Sequence, residues 1–185
     1  MNTFKKYSML ALAVCFMNVT FAQEKTVEVG GAAMYPSKNI VENAVNSKDH
    51  TTLVAAVKAA GLVETLQGSG PFTVFAPTNS AFEKLPEGTV DNLLKPENKA
   101  MLSEVLTYHV VAGKLDSKEI ASLIKAGNGK AELTTVEGGK LWLWMKGDKL
   151  VIKDEKGGTA TVTIKDVYQS NGVIHVIDTV VSPQS

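Results

Sequence analysis

The sequence predicts an α+β domain with an antiparallel-rich sheet, and three of its features indicate this fold class. In the first half, apolar residues recur at helical spacing, whereas from residue 131 onward short alternating runs are separated by glycine-containing turns. The closing segment 171–181 is apolar at successive positions, so both faces of the strand are covered, as is typical of a central strand. No internal repeat or linker divides the chain, which predicts one domain.

The amino terminus predicts an export signal over residues 1–22. Lys5 and Lys6 supply the positive start, the apolar core MLALAVCFMNV follows, and the segment ends in small residues at Ala22. The apolar run is too short to span a bilayer, so we expect export to the periplasm or the extracellular space. Lipid anchoring at Cys15 is disfavoured, because cleavage there would leave almost no apolar core.

Composition narrows the class of partner. Without residues 1–22 the chain has 163 residues, with 17 lysines against 19 acidic residues, a formal charge of −2. The full sequence contains no arginine, and its one cysteine lies in the predicted signal. We therefore expect a core held by packing without disulfides, and no binding to nucleic acid, since phosphate recognition depends on arginine forks and basic patches.

The predicted domain spans residues 36–183, and its first part is mostly helical. The polar, glycine-containing residues 23–35 predict a flexible arm. We expect a threonine cap, Thr51 or Thr52, on the second helix, a cap within 78–80 on the third, and an Asp116 cap on the last. The predicted helices lie within residues 37–47, 50–61, 79–86, 89–95, 97–108 and 117–127.

The remaining segments alternate as strands do. Gly147-Asp148 suits a two-residue hairpin, and Asn171-Gly172 is turn chemistry that launches the last strand. Besides this last strand, the predicted strands are 72–76, 109–111, 131–136, 140–145, 149–152 and 159–164.

The closing strand carries a histidine and an aspartate that could suggest a catalytic pair. Successive side chains of a strand point to opposite faces, so His175 lies with Val173 and Ile177, whereas Asp178 lies with Ile174 and Val176. We therefore expect His175 to be a hydrogen-bonded core side chain and Asp178 to accept backbone or hydroxyl hydrogen bonds.

Three segments in order, FTVFAPTNSAFEKLP, LTYHVVAGKL and NGVIHVIDTVVSP, resemble the signature blocks of the fasciclin domain, an extracellular adhesion module. The resemblance covers residues 36–183. It implies a fasciclin-like wedge or sandwich of antiparallel strands with several packed helices. The structural motif residues within the matching blocks are Thr78, Asn79, Asn171, Gly172, His175 and Asp178.

The resemblance also implies candidate contact residues. A Tyr-His pair at the position of Tyr108 and His109 is linked to cell-surface receptor binding in animal members of the family. A second, Asp-Ile pair is linked likewise, and here that position reads Asp166-Val167. From the residues alone, Tyr108 and His109 lie at a helix-to-strand junction, where packed rings with hydrogen-bonded polar tips are expected more often than ligand contact.

Trp142 and Trp144 share one face of their strand, with Leu141, Leu143 and Met145 on the other. Two interpretations follow: both faces are covered by other elements, which we favour, or the tryptophans form an exposed aromatic platform of the kind that binds sugars.

The sequence gives little support for catalysis, metals or cofactors. The three histidines are far apart, no cysteine ligand accompanies them, and His50 is expected to be a solvated residue near a helix cap. Nucleophile-elbow and phosphate-loop motifs are missing. We therefore expect an exported, non-catalytic binding module for a cell-surface or extracellular protein or polysaccharide. The alternatives are a small hydrolase using His109 or His175, and a carrier of an apolar small molecule.

Overall fold

The computed structural model describes residues 24–184, so the predicted export signal and Cys15 lie outside the described residues. Helices fill the first part of this region and strands the second, as predicted. The helices are α1 Ile40–Ala44, α2 Thr51–Ala60, α3 Val63–Gln67, α4 Asn79–Glu83, α5 Thr89–Leu93, α6 Lys99–Tyr108 and α7 Ser117–Ala126. Among residues 24–184, no helix has the length and apolar character needed to cross a bilayer.

The strands form a small hairpin and one large sheet. Their bounds are β1 Val27–Val29, β2 Ala32–Met34, β3 Phe72–Pro77, β4 Val110–Ala112, β5 Ala131–Thr134, β6 Lys140–Lys146, β7 Lys149–Lys153, β8 Thr159–Gln169 and β9 Gly172–Ile177. The large sheet has seven strands in the order β4-β3-β9-β8-β7-β6-β5, and only the β3–β9 pair in it is parallel. The prediction of an α+β fold with an antiparallel-rich sheet is confirmed.

The sheet curls until its two edges approach each other. The long strand β8 pairs with β7 through its first residues and with β9 through the rest, with irregular register between Val162 and Val167. At the far edges, Val111 of β4 bridges to Thr135, and the Val136 amide donates to the Val110 carbonyl at 2.7 Å. The seven strands therefore form a near-barrel, in which the edge strand β4 approaches the segment that follows β5.

Two apolar cores lie on the two faces of this sheet. The helical core packs α1–α6 and the β1–β2 hairpin against Val74 and Ala76 of β3 and Ile174 and Val176 of β9. The barrel core lies inside the curled sheet beneath α7. Its buried members include Phe75, Ile120, Leu141, Leu143, Ile152 and Ile177. Since β9 contributes alternate residues to each core, all six of its residues are buried.

The prediction of a flexible arm over residues 23–35 is wrong for residues 27–34. They form the β1–β2 hairpin, with the turn at Gly30-Gly31, and they bury Val29 and Met34 in the helical core. The physical reason is that the apolar residues alternate on both sides of a glycine turn, so one face of the hairpin is apolar. The domain therefore begins before residue 36.

Asn171 connects the helical part to the sheet at the turn between β8 and β9. Its side-chain oxygen accepts from the Ile40 amide at 3.0 Å, and its side-chain nitrogen donates to the carbonyls of Leu66 at 2.8 Å and Gly68 at 2.9 Å. The next residue, Gly172, has no room for a side chain, because a Cβ there would lie 2.1 Å from the Phe72 carbonyl oxygen. These contacts explain the role of the Asn-Gly pair in the closing block.

We predict that Asn171→Ala lowers the free energy of unfolding by about 3 kcal/mol, because buried backbone groups of α1 and α3 lose their partner. Urea unfolding followed by circular dichroism measures the change. Asn92→Ala, at an exposed position in α5, is the matched control and should stay within about 0.5 kcal/mol of the wild type. Equal effects of the two substitutions would contradict the connecting role of Asn171.

Candidate functional site

The six residues predicted as ligand contacts lie in three separate parts of the fold. Tyr108 and His109 are at the junction of α6 and β4, Asp166 and Val167 are in the irregular part of β8, and the two tryptophans are on β6. Tyr108, His109 and Val167 are buried and Asp166 is half-buried, whereas the tryptophans lie half-buried on the outer side of the sheet.

Tyr108 is fully buried in the barrel core. Its hydroxyl donates to the Lys140 carbonyl at 2.6 Å and accepts from the Glu155 amide at 3.1 Å. Burial raises the pKa of Tyr108 to about 12, and the neighbouring carboxylates of Glu155, Asp154 and Glu137 act in the same direction. The ring packs where Gly139 leaves space, since a Cβ there would lie 2.7 Å from Cε2. Tyr108 therefore ties α6 to the start of β6 from inside.

His109 is 3% exposed, and both of its ring nitrogens are engaged. Nδ1 donates to the Val105 carbonyl at 2.8 Å, and Nε2 accepts from the Val181 amide at 3.2 Å. This arrangement needs a neutral ring, and burial lowers the pKa of His109 to about 4. His109 holds the carboxyl-terminal segment against α6, and its burial does not support the predicted ligand contact of Tyr108 and His109.

Asp166 and Val167 also serve the fold. Asp166 has a left-handed backbone with φ of 59°, a conformation that aspartate tolerates better than most residues. Its carboxylate accepts from the Ser117 amide at 2.7 Å and the Ser117 hydroxyl at 2.5 Å. Val167 is 1% exposed in the helical core. The pair therefore fixes the start of α7, where Asp116 supplies the predicted cap by accepting from Lys118 and Glu119.

His175 is fully buried, as the alternation of the closing strand predicts. Its Nε2 donates to the Leu115 carbonyl at 2.9 Å, its Nδ1 accepts from the Asp166 amide at 3.4 Å, and its ring stacks on Phe75. Burial lowers the pKa of His175. The ring thus holds the loop before α7 to the central strand, and Thr73 of β3 assists by bonding both Gly113 and Leu115.

Asp178 does not pair with His175. It accepts from the Thr161 amide at 2.8 Å and the Thr179 hydroxyl at 3.1 Å, in agreement with the expectation of backbone and hydroxyl partners. Lys84 donates to the Asp178 carbonyl at 2.6 Å. Asp178 therefore joins the end of β9 to β8 and to α4.

Thr78 and Asn79 are capping residues for two helices. The Thr78 hydroxyl accepts from the Ala81 amide at 3.2 Å at the start of α4. The Asn79 side chain reaches α2, where its oxygen accepts from the Thr52 amide at 3.0 Å and its nitrogen donates to the Lys48 carbonyl at 2.8 Å. The prediction that Thr51 or Thr52 caps α2 is wrong, because a 3₁₀ turn leads directly into this helix and Asn79 caps it from a distant part of the chain.

His50 is not solvated, contrary to the prediction. It is 3% exposed, and its Nδ1 lies 2.9 Å from the Ser47 hydroxyl. The β1–β2 hairpin packs against this turn, with the Lys48 amide donating to the Gly30 carbonyl at 3.1 Å. Tertiary packing by a segment that had been predicted as a flexible arm therefore buries the histidine.

Trp142 and Trp144 lie on the outer face of β6 and are half-buried, which is neither the full cover that we favoured nor a fully exposed platform. Leu141 and Leu143 are fully buried in the barrel core, whereas Trp142 and Trp144 are partly exposed on the outer side. The register of the neighbouring strands defines what we call the tryptophan face. It consists of Glu132, Trp142, Trp144, Val151, Lys153, Thr159 and Thr161.

Charged groups hold Trp142 in place on this face. Its indole N–H donates to a Glu132 carboxylate oxygen at 3.0 Å, and the Lys130 ammonium lies 5.2 Å from the ring centroid. Glu132 also pairs with Lys140 at 3.2 Å. Hydrogen bonds from Lys140 and Trp142 lower the pKa of the Glu132 carboxyl, so it stays ionised at neutral pH. The face therefore combines two tryptophan rings, one of them held by charged neighbours, with hydrogen-bonding groups of both charges.

Sequence reasoning missed two carboxylates that bond distant backbone amides, the buried Asp154 and the half-buried Glu155. Asp154, 4% exposed, accepts from the Gly158 amide at 2.6 Å and the Ser182 amide at 3.0 Å. Glu155 accepts from the Lys140 and Gln184 amides. Both lie in a turn that reads as solvated, and no local signal shows that the carboxyl-terminal segment returns to them. Within residues 24–184, no cluster of three or more histidine, cysteine or acidic side chains could hold a metal ion.

Comparisons with known proteins agree with this fold. The sequence model of the fasciclin domain matches residues 48–183. Protein sll1483 of Synechocystis sp. is 48% identical over 160 residues, 86% of this chain and 82% of that protein. Immunogenic protein MPB70 of Mycobacterium bovis is 36% identical over 145 residues, 76% of this chain and 66% of that protein.

Two further similarities concern animal proteins. Transforming growth factor-beta-induced protein ig-h3 of Sus scrofa is 39% identical over 131 residues, which cover 71% of this chain and 17% of that protein. The solved structure of a FAS1 domain pair from the insect cell adhesion molecule Fasciclin I matches with a TM-score of 0.70 at 16% identity, over 85% of this chain and 57% of that chain. The structural match supports the fold.

We predict that stability falls as the pH drops from about 6.5 to about 4, because unfolded His109 binds a proton in this range and folded His109 does not. His109 alone contributes a loss of about 3 kcal/mol between neutral pH and pH 4. Urea unfolding of the wild type and of His109→Gln at several pH values isolates this contribution. A variant with the same pH dependence as the wild type would contradict the neutral, buried state of His109.

Proposed function

The chain belongs to the fasciclin domain family, and we propose that it is an exported, non-catalytic adhesion module whose contact surface is the tryptophan face. Its partner is a cell-surface or extracellular protein or polysaccharide. The observation that carries the proposal is the outward position of Trp142 and Trp144 on a strand whose opposite face buries Leu141 and Leu143 fully.

The proposed adhesion role is supported by a protein that shares this fold. The insect protein with the matching structure is described as a cell adhesion molecule. The signal-like residues 1–22 support the proposed export, and we propose the periplasm or the extracellular space as the location of this chain.

The tryptophan face has properties that favour binding. Partly exposed tryptophans are frequent energetic anchors of interfaces, because a large rigid ring is buried at low entropic cost. Glu132 and Lys130 already hold Trp142, so a partner orders little on binding. Among the proposed partners, the face suits a polysaccharide best. Flat indole rings stack on the C–H faces of sugars, and the neighbouring Glu132, Lys153 and Thr161 can bond the hydroxyls.

The hydrolase alternative finds less support in the histidine environments. A general base needs a ring nitrogen free to take a proton from a bound reactant. His109 and His175 are both buried, and both nitrogens of each ring bond the backbone. We therefore propose that these two histidines maintain the fold and take no part in catalysis.

We predict that Trp142→Ala and Trp144→Ala each weaken attachment to the polysaccharide partner by about 30-fold, the effect of losing an aromatic anchor. A panel of insoluble polysaccharides and a glycan array, probed with the mature domain, measure attachment. Because both rings lie on the outer face, the far-ultraviolet circular dichroism of the variants should match that of the wild type.

Tyr35→Ala is the matched control, since Tyr35 is an aromatic residue with 39% exposure on the separate β2 side of the domain. It should leave attachment unchanged. If the wild type binds a glycan and both folded tryptophan variants bind it equally well, the tryptophan face is not the contact surface. If the wild type binds cells only through a protein, the polysaccharide assignment fails while the adhesion assignment stands.

A further inference from the structure

A groove opens beside the barrel core, between helix α7, the β6–β7 hairpin and strand β8. Its volume is about 550 Å³, within the range of roughly 300–1,000 Å³ that is typical of small-molecule sites. Barrel mouths are among the usual places for such sites. Neither tryptophan lines the groove, although Thr161 belongs both to the groove and to the tryptophan face.

The groove exists because β8 leaves β7 part of the way along its length. Pairing of β7 with β8 ends at Val151 and Thr161, and the later residues of β8 pair with β9. Two register shifts between Val162 and Val167 accompany this departure, and bulges of this kind are frequent at barrel rims and beside functional sites. The β6–β7 hairpin therefore extends beyond its pairing with β8, and α7 forms the opposite wall of the space that is left.

The floor of the groove is apolar. Ile120, Leu150 and Val162 of the barrel core line it, together with Ala121, an exposed residue of α7. Met145 at the end of β6 also lines the groove and is 43% exposed, although it is a large apolar side chain. A ligand with an apolar body is therefore favoured, since it would remove this surface from water.

Most polar groups of the walls already have partners. The Ser117 hydroxyl donates to a carboxylate at 2.5 Å, and the Thr163 hydroxyl donates to a backbone carbonyl at 3.3 Å. The Asp178 carboxylate accepts two hydrogen bonds and lies 4.0 Å from the Lys84 ammonium. A sugar needs several free partners for its hydroxyls, so these walls suit a sugar less well than the tryptophan face does.

Three further charged side chains line the groove, Asp148, Lys149 and Lys165. Within residues 24–184, none of the three forms an ion pair, whereas Asp178 is balanced by Lys84. The groove therefore carries a surplus of one positive charge. Lysine side chains are long and flexible, so both ammonium groups can turn towards a bound anion. The charge of the groove complements a ligand with a single negative charge.

We propose that the groove is a binding site for an amphiphilic monoanion, an apolar chain that ends in a carboxylate. The chain lies on the apolar floor between α7 and the β6–β7 hairpin, and the carboxylate lies at the rim, where Lys149 and Lys165 meet it. This site adds small-molecule binding to the proposed adhesion function and does not depend on it.

Three probes of equal chain length test the site: octanoate, 1-octanol and octylamine. They share the apolar chain, but at pH 7 their end groups are negative, neutral and positive. We expect octanoate to give saturable NMR shifts of the methyl groups of Met145 and Leu150. It should bind about fivefold more tightly than 1-octanol, the effect of two partly exposed ion pairs, and octylamine should bind most weakly.

Variants separate the charged contact from the apolar one. Lys149→Gln combined with Lys165→Gln should remove the preference for octanoate, while 1-octanol binds as before. Lys125→Gln, at an exposed position of α7 outside the groove lining, is the matched control and should keep the preference. Ala121→Trp places a large ring in the groove and should abolish binding of all three probes.

The proposal is overturned if the wild type gives no saturable shifts with octanoate, if octanoate and 1-octanol bind equally, or if the double lysine variant keeps the preference. Octanoate binding that survives Ala121→Trp would place the site elsewhere and would also overturn it. Glycan attachment measured with the tryptophan variants does not depend on these results, so a failure of this site is distinguished from a failure of the adhesion proposal.

Discussion

A strand that is buried on both faces is the constraint on which the rest of the structure depends. β9 lies between β3 and β8, and its side chains enter the helical core and the barrel core in alternation. Polar groups beside such a strand cannot reach water and must be paired inside the protein. His175 pairs with the loop before α7, and Asn171 pairs with α1 and α3 at the start of the strand. The positions of these surrounding segments follow from that pairing.

The sequence predicts the features that local geometry determines. Alternation along the closing strand separates His175 from Asp178, and periodicity together with capping residues locates most helices, including the Asp116 cap of α7. The features it could not predict depend on distant partners. His50 resembles a solvated cap residue until the amino-terminal hairpin covers it, and the short helix α3 has no cap signal that stands out. An apolar pattern on both sides of the strand predicts that the tryptophans are covered, but within residues 24–184 the outer side is covered only in part.

The family resemblance identifies residues that maintain the fold, whereas the structure identifies the residues that a partner can reach. The residues that carry the resemblance, among them Tyr108, His109 and Asn171, lie inside and bond the backbone of distant segments. These residues specify the fold. Their side chains tolerate burial because they are neutral or are hydrogen-bonded to the backbone. The aromatic residues of β6 lie on the outer face, where a partner can reach them. The division between interior pairing and outer contact is the basis of our functional account.

The central claim is that the buried signature side chains, Tyr108, His109, Asn171 and His175, are interior connections of the fold. The state of the two histidine rings tests this claim most directly. Long-range nitrogen–proton NMR of the imidazoles at pH 6 distinguishes charged rings from the two neutral tautomers. The account predicts neutral rings, with the proton on Nδ1 in His109 and on Nε2 in His175. Charged rings, or rings whose nitrogen-bound protons exchange rapidly with water, would contradict it.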